Sequence, residues 1–105
     1  MKTPTMHPVR VKRFADMFAA IGAEPRLRIL HLLVSSADGM TVSEIQSELR
    51  IPGSTLSHHL DKLKHEDLVK VRRDGTFLWY TANTKTLDQL LKFFSAECQA
   101  AAAVA

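Results

Sequence analysis

The chain has little of several things. In 105 residues there is a single cysteine, Cys98, one tryptophan, one tyrosine, and only four glycines and four prolines. One cysteine excludes a disulfide within the chain and any metal site built from several cysteines of one chain. An interchain pair or a lone thiolate stays open. No apolar run approaches the roughly 18–20 residues of a membrane span. Lysines and arginines lie near the start, but Asp16 and an amphipathic pattern replace the continuous apolar core of a secretory signal. A cytoplasmic protein is expected. There is no G-x-S-x-G, no phosphate-cradling glycine loop and no H-E-x-x-H, so no enzyme is expected. The length suits one domain with one modest core. A net charge of +3 permits a polyanionic partner, yet where the charges cluster says more than their sum.

What is present is helical periodicity. Residues 1–8 (MKTPTMHP) have no periodic apolar pattern and read as a flexible arm. Val11, Phe14, Ala15, Phe18 and Ala19 recur at helical spacing and predict a first helix ending before Gly22. Pro25 suits the first turn of a second helix, whose core side would carry Leu27, Leu30, Leu33 and Val34. Thr41 and Glu44 have capping-box spacing, and Val42, Ile45 and Leu49 form the buried stripe of a third helix. Pro52-Gly53 breaks the chain, and a fourth helix follows with Leu56, Leu60 and Leu63 inward. Strand formers around Asp74-Gly75 predict a β-hairpin. Leu87, Leu90, Leu91 and Phe94 stripe a last helix at about residues 84–100, and 101–105 (AAAVA) reads as a flexible tail.

The other face of the fourth helix carries Ser54, Thr55, Ser57, His58, His59 and Lys62. A face meant only for solubility is usually rich in Glu, Lys and Arg. Short hydrogen-bonding side chains instead leave room for close approach to base edges. Arg72 and Arg73 sit just before the hairpin turn. A helix, a tight turn, a serine- and histidine-faced helix and a basic hairpin together suit duplex DNA.

These strings, AIGAEPRLRILHLL, IPGSTLSHHLDKLKHEDLV and RRDGTFLWYTA, resemble the ArsR/SmtB regulators, over about residues 11–98. The resemblance implies a mainly α fold with a small β-hairpin (α+β), a winged helix-turn-helix of order α-α-α-α-β-β-α over the single domain 1–105. It implies a homodimer through the first and last helices, placing Phe14, Phe18, Leu87, Leu90, Leu91 and Phe94 at the dimer interface. It implies a transcriptional repressor on an inverted-repeat operator in double-stranded DNA. Ser54, Thr55, Ser57, His58 and His59 then face DNA. Lys62 and Arg50 would contact phosphates, and Arg72 and Arg73 a flanking backbone or minor groove. His59, beside Leu60, has packing within the motif as its alternative.

Members of the family often release DNA on binding a metal or metalloid. The C-x-C cluster of the arsenic site is absent from TVSEIQSEL, and the last helix offers Asp88 and Glu97 but no histidine for the zinc site. FFSAECQ resembles a subgroup ending in an adjacent cysteine pair, of which only Cys98 remains, with Gln99 in the second place. Two chains supply two thiolates where trivalent arsenic takes three. A two-coordinate soft metal or metalloid could bridge Cys98 and its dimer mate, or the thiol could be oxidised. The alternatives are a packed cysteine in a regulator without ligand, or a winged-helix protein-interaction module.

Overall fold

The computed structural model describes residues 8–104. Its elements are α1 (Pro8–Ile21), α2 (Glu24–Val34), β1 (Met40–Thr41), α3 (Val42–Leu49), α4 (Gly53–His65), β2 (Val69–Asp74), β3 (Phe77–Ala82) and α5 (Thr84–Val104). The fold is mainly helical with a small antiparallel sheet, as the sequence led us to expect. The sheet, however, has three strands in the order β1-β3-β2. β1 has two residues, Met40 opposite Tyr80 and Thr41 opposite Trp79. Gly39 leads into it at φ +88, and a Cβ there would stand 2.8 Å from the Tyr80 carbonyl oxygen. Only glycine fits that approach and that φ.

Thr41 also caps α3. Its Oγ1 accepts the Glu44 N–H, and the Glu44 carboxylate accepts the Thr41 N–H at 3.0 Å, so the predicted capping box is complete. The Thr41 N–H and the Thr41 hydroxyl, both donating to that carboxylate at 3.0 Å, hold the Glu44 carboxyl below its ordinary 4.5. α3 ends at Arg50, which takes a left-handed conformation (φ 54, ψ 43) with no glycine in that place. The hairpin turn also differs from expectation. Asp74 pairs with Phe77, so the two turn residues are Gly75 and Thr76 rather than Asp74-Gly75. Only Gly75 of the two has positive φ, the type II′ pattern.

The core is built from Ile29, Leu30 and Leu33 of α2, Ile45 of α3, Leu56, Leu60 and Leu63 of α4, then Leu68, Val69 and Tyr80. The stripe of α4 is the one the sequence shows. That of α2 is shifted: Leu27 and Val34 are half exposed, at 53% and 54%, because Ile29, Leu30 and Leu33 already fill the face on the body. On α1 the buried side chains are Phe14, Met17 and Ala20, while Val11, Ala15, Phe18 and Ala19 point outward. The sequence pattern mostly traced the outer face.

Phe14 and Leu90, expected at a dimer interface, are buried in the monomer's own core. Phe14 stacks on Phe93 at 4.6 Å between ring centroids, which leaves it little surface for a second chain. Leu87 is half-buried, whereas Phe18, Leu91 and Phe94 are exposed. Phe18 and Phe94 lie 5.8 Å apart across α1 and α5. Of the expected tail 101–105, residues 101–104 continue α5, since alanine is the strongest helix former, and residue 105 lies outside the described residues. Of the expected arm, Pro8 opens α1 and residues 1–7 lie outside the described residues. From Phe94 onward every described side chain is exposed, and the molecule measures 55 × 24 × 24 Å.

Candidate nucleic-acid interface

α4 begins without a side-chain cap. Its N-cap is Pro52, the first turn is Gly53, Ser54 and Thr55, and no acidic residue lies in it. The first bonded amide is that of Leu56, donating to the Pro52 carbonyl at 2.8 Å. Three N–H groups therefore point out of the helix start with its positive dipole end, the arrangement that holds a phosphate oxygen. By contrast α3 has its capping box, and in α5 Asn83 Oδ1 accepts the Thr86 N–H.

Beyond that end, Ser54, Thr55, Ser57, His58 and Lys62 are all exposed. The buried leucines at positions 56, 60 and 63 fix the opposite face, so the hydroxyls and the His58 ring stand outward together. Arg50 is exposed in the turn before them. His58 and His59 part company, with ring centroids 5.9 Å apart.

His59 is half-buried and faces the body, where Arg26 Nη1 donates to its Nδ1 at 3.2 Å. Burial, then the Arg26, His58 and Lys62 charges, holds its pKa below the ordinary 6.5. Arg26 also donates through Nε to the Ala20 carbonyl in the last turn of α1. Nothing local in the sequence marks Arg26, because its partner lies 33 residues away. Beside it a groove of about 580 Å³ is lined by Asp16, Ala19, Arg26, His58, Asp61 and Lys62, among others.

On the hairpin the two arginines diverge. Arg72 lies opposite Trp79, its guanidinium 5.6 Å from the ring centroid, and reaches Asp74 at 3.8 Å. Arg73 is the next residue of the strand, so it points to the other face. It is exposed and has no ion pair among the described residues. Cys98 is exposed on α5, far along the chain from these groups. Among the described residues no three His, Cys, Asp or Glu side chains are grouped to hold a metal ion. No described helix is long and apolar enough to cross a membrane.

A capped helix, a tight turn, a second helix with a bare, hydroxyl-lined start and a basic two-stranded wing define a winged helix-turn-helix DNA-binding domain. A family model described as a helix-turn-helix domain matches residues 21–72. An HTH-type transcriptional regulator of Methanocaldococcus jannaschii is 36% identical over 83 residues, 79% of this chain and 92% of that protein. The arsenical resistance operon repressor of Staphylococcus aureus is 30% identical over 77% of this chain and 76% of its own length. The solved ArsR-like transcriptional regulator from Rhodococcus shares the fold, with TM-score 0.76, 24% identity and coverage of 91% of this chain and 92% of that one. The chain belongs to the ArsR/SmtB family of winged helix-turn-helix regulators, which are DNA-binding transcription factors and not enzymes.

Proposed function

We propose that this regulator is a homodimeric repressor that reads an inverted-repeat operator with α4 of each chain. The observation that carries the reading is the uncapped start of α4. Its amides and the Ser54 and Thr55 hydroxyls take a phosphate, which seats Ser57 and His58 in the major groove. His58 donates or accepts at a base edge according to its tautomer. Lys62, Arg50 and the wing arginines neutralise neighbouring phosphates without reading sequence. The staphylococcal relative named as a repressor supports the same sign of regulation.

The exposed Phe18, Leu91 and Phe94, with Val11, form an apolar surface on α1 and α5 suited to a second copy. Two such chains would present their α4 helices to half-sites about one helical turn apart. The signal that releases DNA is a soft metal, metalloid or thiol reagent acting at Cys98, whose exposure on the pairing helix supports that role.

The test is binding to duplexes selected by the protein from a random pool, measured by fluorescence anisotropy over a salt series. Log affinity should fall steeply and linearly with log salt, and Ser57→Ala with His58→Ala should remove the preference for the selected duplex. A flat salt response sinks the DNA reading, because phosphate contacts release counterions. A Cys98→Ser protein that still releases DNA with arsenite, zinc and peroxide as the parent does would leave a regulator without a signal at this thiol.

A further inference from the structure

We propose that Arg26 is a positioning residue for DNA reading: through its fork onto the Ala20 carbonyl and His59 Nδ1, it fixes the angle of α4 on the body. The inference rests on α4 being the reading helix. One planar guanidinium touches three elements, since it stands on α2, donates to the last turn of α1 and donates to the middle of α4. The two contacts use different nitrogens of a rigid fork, a geometry that lysine cannot reproduce.

The tie has a chemical condition. Nδ1 accepts a proton only if it carries none, so His59 is the neutral tautomer protonated at Nε2. Protonating Nδ1 would remove the acceptor and set two cations face to face. The charges acting on His59 are Arg26 from α2 and His58 and Lys62 from α4, all of one sign. Asp16 of α1, with Asp61 and Glu66, lines the groove beside Arg26, and Asp16 is itself paired with Lys12. Burial and those cations therefore keep the ring neutral, and the tie closed, at neutral pH. His59 works behind the reading surface, turned toward the body, while His58 is turned toward solvent.

The measurement is the affinity ratio between a duplex selected by the wild-type protein from a random pool and a scrambled duplex of equal length. It is taken from about pH 7.5 to about pH 5.5, across the ordinary histidine range. A ratio cancels the sequence-independent gain from added positive charge. Arg26→Lys and Arg26→Gln should each lower the ratio about tenfold at the upper pH, the weight of one charge-assisted hydrogen bond. In the wild type the ratio should fall with pH. In His59→Asn, where Oδ1 takes the place of Nδ1 and cannot be protonated, the profile should be flat, and His58 is still present as a control. Nitrogen NMR of the wild-type protein should show His59 protonated at Nε2 and titrating below the ordinary value, a readout independent of any variant's folding. Coincident profiles for wild type and His59→Asn, an Arg26→Lys ratio like the wild type's, or a His59 ring protonated at Nδ1 would overturn the proposal. A wild-type protein that binds no duplex at all would instead overturn the DNA reading, and the NMR result would still judge the Arg26–His59 tie.

Discussion

Arg50 is under two opposed demands. It closes α3 in the left-handed region, where a side chain with a Cβ is disfavoured by roughly 1–2 kcal/mol. It also extends its charge into the turn before α4. Arg50→Gly should therefore raise stability by about 0.5–1 kcal/mol in denaturant titrations, since glycine is the usual residue at such a helix end. The same change should lower DNA affinity and reduce the salt slope by about one. Gains in both stability and affinity would remove the phosphate role. Gly39 is the converse case, a left-handed position that glycine already fills. Gly39→Ala adds backbone strain and drives a Cβ against the Tyr80 carbonyl and the Thr81 methyl. A loss of about 2 kcal/mol or more is expected in thermal unfolding. At this scale the sequence was legible where chemistry is local, as in the Thr41–Glu44 box. It was silent on Arg26, whose role exists only once three helices have been packed.

Among the elements, α4 was the most readable, because its leucine period and its polar face agree. β1 was not legible at all. Two residues carry no periodicity, and what makes them a strand is pairing with residues some 40 positions later. The α1 stripe misled for another reason: that helix has two apolar faces, one against its own body and one outward, and periodicity does not say which is which. α3 depends on its cap. Thr41→Ala should destabilise the protein by about 1 kcal/mol. The capping box also makes stability depend on acid. Because the folded Glu44 carboxyl has a lowered pKa, its contribution is complete above the unfolded value near 4.5 and is lost as pH falls through the folded one. Glu44→Gln, which keeps the shape without the titration, should show a shallower loss of melting temperature on acidification. An equal slope would mean that other carboxylates govern the acid limb.

For the whole molecule the exposed apolar surface of α1 and α5 sets the expectation. Leu91→Glu with Phe94→Glu should halve the mass seen by sedimentation, leave the far-ultraviolet helical signal in place, and weaken binding to a two-half-site duplex far more than to a single half-site. Loss of helical signal at the same time would mean that these residues hold the monomer together instead. Thr41 adds a mechanical consequence. It is both a rung of the sheet, opposite Trp79, and the residue that starts α3, while Trp79 in turn lies opposite Arg72 on the other strand. The wing and the helix-turn-helix are thus clamped together like the jaws of a calliper. Strand pairing therefore sets the wing relative to the start of α3 within the chain itself, so a change at Thr41 acts on both at once.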